Sequence, residues 1–106
     1  MMMMENLLDT GDVRLNAVVF QPGCRTGWHY HTGGQLFIVD YGRGVVVSED
    51  TVFTAQAGDI VYSSPGERHW HGASPDSMFV YTVLSLGDTL WVDKDVSEEA
   101  YLAAFG

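Results

Sequence analysis

Twelve glycines cut this 106-residue chain into short runs rich in Val, Tyr, Phe and Trp. That punctuation constrains the fold more than any other feature. Branched and aromatic side chains suit a pleated, half-buried surface, while Gly beside Pro, Asn or Asp marks turns. Strand-like runs fall at 13–20, 26–31, 35–41, 45–48, 52–54, 60–63, 68–72, 78–86 and 89–92, with a hairpin expected around Glu49-Asp50. Strands at this spacing predict an all-β sandwich or barrel, not alternating βαβ units. One helix is expected over 95–105, capped by Asp95 with Glu98 three residues on. Its Tyr101, Leu102 and Phe105 would dock it on the barrel or on a partner. Residues 1–10 read as an N-terminal segment, and the length predicts one domain.

A chain of this size buries roughly 60–70% of its unfolded surface, so the core needs no disulfide. None can form within the chain, since Cys24 is the single cysteine. It follows a Pro22-Gly23 turn with no histidine at a telling spacing, which suits a structural thiol. Five Lys+Arg against fourteen Asp+Glu give a net charge of −9. Arg14, Arg25, Arg43, Arg68 and Lys94 are scattered, with Arg25 and Arg68 expected to pair with surface carboxylates. Phosphate recognition needs clustered cations, so nucleic acid and anionic membranes are excluded as partners. No apolar run approaches the ~20 residues that span a bilayer, and Met1 to Met4 lead into Glu5-Asn6 without a basic, then apolar, leader pattern. The expected setting is cytoplasmic.

Histidine and glutamine placement speaks to chemistry. His29 and His31 alternate, so a strand points both imidazoles to one face. Gln35 lies just past the Gly33-Gly34 pair, and His69 follows Pro65-Gly66 at the head of another strand. Taken singly, each is as readily a surface or hydrogen-bonded strand residue. Facing a common interior, three neutral imidazoles and one amide oxygen make a divalent-metal site. Four such ligands leave the ion its full double charge and one or two open positions, which favours Lewis-acid work on a hydroxyl or carbonyl. His71 shares the strand face of His69. It reads either as an acid/base with a pKa near the reference ~6.5, adjusted by the ion, or as a satisfied buried histidine. Pocket candidates on one alternate face are Asn16, Val18, Phe20, Phe37, Tyr81, Val83 and Ser85, with the choice of inward face open by one residue. Trp28, Tyr30 and Trp70 alternate opposite to the histidines, which suits sheet packing or a dimer face, and Val45-Val46-Val47 suits core or edge pairing.

Two windows together resemble the paired motifs of the cupin superfamily. In the first, Gly23, His29, His31 and Gly42 fall at the motif spacings, with Gln35 where the motif has glutamate. In the second, Gly58, Pro65, Gly66 and His69 match, with the proline-to-histidine interval one residue short. The resemblance spans residues 13–86 and implies a double-stranded β-helix, a small jelly roll with a metal inside. The strings around Trp28-His29 and around His69-Trp70-His71-Gly72-Ala73 are similar to the small manganese cupins that include bacterial hydroxynitrile lyases. That likeness implies His29, His31, Gln35 and His69 as ligands, His71 as pocket acid/base, and often a homodimer. Manganese comes first among the metals, with Fe, Ni, Co and Zn compatible with the donor set. The implied activity is metal-dependent lyase or isomerase chemistry on a small molecule, such as cyanohydrin cleavage. A cupin dioxygenase and a non-catalytic small-molecule-binding cupin are the alternatives, and a storage-like cupin ranks last.

Overall fold

Alternation of apolar and polar residues sets the elements and the curl of the sheet. The computed structural model describes residues 2–93 and 95–106. Met1, at the head of the methionine run, and Lys94, among the scattered cations, lie outside the described residues. In chain order the strands are β1 (Met2–Asp9), β2 (Val13–Phe20), β3 (Trp28–His31), β4 (Gln35–Ser48), β5 (Val52–Gln56), β6 (Ile60–Ser63), β7 (His69–Ala73), β8 (Phe79–Leu86) and β9 (Thr89–Asp93). A short helix, α1 (Glu98–Ala103), follows. All pairings are antiparallel, in the order β1-β2-β8-β4-β7-β3-β9, with β5 and β6 also on β4.

β4 makes the sheet close. Its first half pairs with β8 and β6, its second half with β5 and β7, and a bulge between Val39 and Tyr41 turns it from one layer into the other. A bulge bends a strand and raises its twist, which folds the two layers over one core. Sequence reading ends a strand at Gly42 and starts another at Val45; in the structure the ladder runs through the glycines as one strand. Between the layers pack Val18, Phe20, Phe37, Val39, Val46, Val61, Phe79, Tyr81 and Val83. Half-buried Cys24 is a free thiol against this core.

A second cluster lies outside the barrel, where Val45 and Trp70 are covered by Val96 and Tyr101, with Trp28 and Val47 at its margin. Helix α1 thus accounts for the tryptophans that alternate away from the histidines. The helix is shorter than expected and starts later. Ser97, not Asp95, is the cap, its hydroxyl accepting from the Ala100 amide at 3.1 Å. Tyr101 docks, donating its hydroxyl to the Ala73 carbonyl at 2.5 Å, and half-buried Phe105 packs on its ring, but Leu102 faces solvent. Arg25 pairs with Glu98 at 3.4 Å and lies over the Tyr101 ring; Arg68 has no ion pair among the described residues. Residues 1–10, read as an N-terminal segment, hold the edge strand β1.

Candidate functional site

Strand β3 is half-buried, buried, half-buried, buried along Trp28-His29-Tyr30-His31, so period two sends both imidazoles inward. His69 is the direct cross-strand partner of His29, and the two rings lie 4.5 Å apart between centroids. Ring nitrogens of His29, His31 and His69 lie within 4.8 Å of one another, and all three residues are buried. Gln35 enters from β4, its amide nitrogen donating to Ser85 Oγ at 3.2 Å and its Oε1 lying 3.2 Å from His69 Nε2.

The opposite ring nitrogens fix the tautomers. His29 Nδ1–H donates to the Gly27 carbonyl at 2.9 Å and His69 Nδ1–H to the Glu67 carbonyl at 3.0 Å, since a carbonyl can only accept. His31 Nδ1 meets the Thr89 hydroxyl at 2.9 Å, leaving its buried Nε2 without a partner. His69 Nε2 then presents a lone pair to the lone pairs of Gln35 Oε1, a clash that a shared cation would relieve. Three inward Nε2 atoms and one amide oxygen, each oriented from behind, fit a divalent transition ion. His29, His31, Gln35 and His69 could hold it.

Burial keeps these imidazoles neutral. Desolvation, aided by the neighbouring rings, lowers His29 to about 4 and His31 to about 3 from 6.5, and burial lowers His69 as well. In the unfolded chain these groups take up protons near 6.5, before the folded chain does, so acid favours unfolding. Metal-free protein should lose on the order of 3 kcal/mol from His29 alone as pH falls from about 6.5 to 4. Urea midpoints of the metal-free protein at pH 7.5, 6, 5 and 4 measure this; a midpoint that does not fall would contradict neutral burial. Proton competition for a bound ion should likewise begin well below 6.5.

His71, two residues past His69, is buried and shares a 2.7 Å hydrogen bond with the Tyr81 hydroxyl through Nδ1. Its Nε2 has no partner among the described residues. Complete burial holds its pKa well below 6.5, which corrects the expectation of a near-neutral value. Burial pushes Tyr81 up, so the phenol stays protonated.

A cavity of about 270 Å³ opens on His29, His31, Gln35 and His71. Of the pocket residues expected from sequence, Asn16, Val18, Tyr81, Val83 and Ser85 line it. Phe20 and Phe37 do not: they are fully buried and pack around the His71 ring, at 6.0 and 5.7 Å between centroids. Sequence reading missed Met2, Met4, Arg14, Thr26, Thr89 and Trp91, which also line the cavity. Arg14 was legible as one step back along the inward face of Asn16 and Val18. Thr89 and Trp91 were not, because only the β3–β9 pairing puts them opposite His31 and His29.

The sequence pattern of the Cupin domain family matches residues 16–93, most of the chain. The protein is a cupin. It is 44% identical over 69 residues to a protein named (R)-mandelonitrile lyase from Granulicella tundricola, covering 64% of this chain. That match spans only 53% of the relative's length. A solved cupin-like protein from Thermotoga maritima superimposes with a TM-score of 0.91 at 34% identity, over 97% of this chain and 84% of that one. The DMSP lyase DddQ from Ruegeria pomeroyi superimposes at 0.76 with 18% identity, over 86% and 51% of the two chains, and shares the fold alone. Within this cupin the motif glutamate is Gln35, so the histidine cluster carries no anionic donor.

Proposed function

We propose that this cupin is a divalent-metal-dependent lyase for small hydroxyl-bearing molecules, with cyanohydrin cleavage as the leading reaction. The observation that carries the reading is the unpartnered Nε2 of His71 beside a cluster of neutral donors in one cavity. Likeness to a relative named for mandelonitrile cleavage supports it. When bound, a divalent ion, manganese first among candidates, supplies positive charge that acidifies a hydroxyl. His29, His31 and His69 would hold it, and Gln35 would complete the set without subtracting charge.

For His71 to act as base, its Nδ1–H donates to the Tyr81 oxygen and its Nε2 lone pair takes the substrate hydroxyl proton. The electron pair of the O–H bond becomes the carbonyl π bond as the carbon–cyanide bond breaks. Cyanide leaves with that bonding pair, and His71 Nε2 returns the proton to it as hydrogen cyanide. Val18 and Val83 add apolar surface to the cavity wall.

Protein reconstituted with Mn²⁺ and given mandelonitrile should release benzaldehyde and cyanide without consuming oxygen. His71→Ala should keep its metal while turnover falls about 10²–10⁴-fold, the range of general acid–base catalysis. Oxygen uptake matching substrate loss would establish a dioxygenase instead, and tight binding without product a sensor-type cupin.

A homodimer belongs to this reading. Ile38 pairs with Ile60 and Leu36 with Tyr62 across β4 and β6, and Ile38, Ile60 and Tyr62 face outward, exposed. Such a face suits burial against a second copy. Sedimentation equilibrium should give twice the chain mass, reduced to one by Ile60→Asp; a monomer throughout would refute it. A reducing, cytoplasmic setting is proposed with it from the lone thiol of Cys24.

A further inference from the structure

Among the described residues that line the histidine cavity, Arg14 is the one cation. Its Nη2 donates to the Gly87 carbonyl at 2.7 Å and to Thr89 Oγ1 at 3.2 Å, which fixes the guanidinium in place. Its Nε is buried, with no hydrogen-bond partner among the described residues. Among the described residues no carboxylate forms an ion pair with it, in a chain that carries fourteen Asp+Glu. An unpaired buried donor on a charged group is costly, and an acidic chain has ample means to pair it. A guanidinium on the cavity wall without a carboxylate partner suits a ligand that brings its own negative charge.

The cavity is also polarised. Thr89 contacts both Arg14 and His31, so the guanidinium stands at the His31 end of the cluster. At the other end Trp91 lies opposite His29 in register, its ring 4.7 Å from the imidazole and 57% exposed. A ligand spanning the cluster meets a cationic pole on one side and an aromatic wall on the other. Guanidinium groups recognise carboxylates through paired donors, which neutral hydroxynitriles cannot match.

We propose that Arg14 is a specificity-determining residue that receives the carboxylate of a small hydroxy acid, whose apolar group rests against Trp91. This rests on the reading of the cavity as the substrate site and adds small hydroxy acids to the hydroxyl-bearing molecules that the site accepts. The probes are (R)-mandelate and its amide, which differ in one charge, titrated calorimetrically into Zn²⁺-loaded protein. Mandelate should bind about tenfold or more tighter than mandelamide, the scale of a charge-assisted hydrogen bond. The advantage should vanish in Arg14→Gln and return in part in Arg14→Lys. No advantage in the wild type, or one undiminished in Arg14→Gln because the carboxylate sits on the metal, overturns the proposal. Should Arg14→Gln fail to fold, the Arg14 Nε–H resonance of the wild type decides: it should shift with mandelate and not with mandelamide, and a resonance unmoved by both overturns it. Absent mandelonitrile cleavage with an intact mandelate preference defeats the lyase reading alone; cleavage without the preference defeats this one alone.

Discussion

Alanine in place of His31 or His69 should remove bound metal and turnover together while leaving the fold intact. Turnover should drop by at least about three orders of magnitude, because a polarising cation contributes several kcal/mol to such a step. His31 gives the cleaner variant. Its Nε2 already lacks a protein partner, so truncation orphans only the Thr89 hydroxyl, which retains Arg14. His69→Ala leaves the Glu67 carbonyl without its imidazole donor, so some loss of stability accompanies loss of metal. Elemental analysis, circular dichroism and mandelonitrile turnover on the same samples measure all three quantities. Metal retained at full stoichiometry in either variant would remove that histidine from the ligand set. Gln35→Glu should strengthen metal binding and weaken catalysis, since a carboxylate cancels one unit of the charge that does the polarising.

Gly42→Ala should be the most damaging single methyl in the chain. Gly42 has φ +81, a region that side chains with a Cβ rarely adopt, and a Cβ there would meet the Met78 carbonyl oxygen, with Ser77 Oγ 3.0 Å away. That carbonyl accepts from the Arg43 amide at 3.1 Å, so moving it breaks the β4–β8 ladder beside the bulge. Strain of about 1–3 kcal/mol and the lost ladder contacts add, giving at least about 3 kcal/mol or failure to fold. Gly58→Ala is the control. It shares a positive φ of +93 but has nothing within 4 Å of its Cβ, so it should cost only the conformational strain, about 1 kcal/mol. Urea midpoints of the two variants separate the terms, and equal midpoints would show that the close approach at Gly42 carries no weight.

The same glycine explains part of what the sequence conceals. Gly42-Arg43-Gly44 has the composition of a turn, yet the ladder passes through it because long-range pairing with β8 and β7 outweighs local preference. By contrast β2 and β6 were legible to the residue, since turn signals bound them, Pro22-Gly23 after β2 and Gly58-Asp59 before β6. Strand β1 was hidden by its uniform exposure: with no buried face it has no period-two pattern, and only its pairing with β2 makes it a strand. At the helix, Asp95 and Ser97 are both good caps, and the docking of Tyr101 under Ala73 selects Ser97. Within the site, the inward set around His29, His31, Gln35 and His69 follows from alternation and two turns. The residues that position them were not legible, because Gly27 and Glu67 act through carbonyls and Thr89 arrives from a strand 58 residues away from His31. Phe20 and Phe37 were assigned to the right face but the wrong depth, and alternation carries no information on depth.

Anomalous diffraction from crystals of the Mn²⁺-loaded protein would locate the ion directly. One peak should lie among the Nε2 atoms of His29, His31 and His69 and the amide oxygen of Gln35, at metal–ligand distances of about 2.0–2.3 Å. A peak on surface carboxylates instead, with those four side chains contacting only one another, would contradict the cation-centred site.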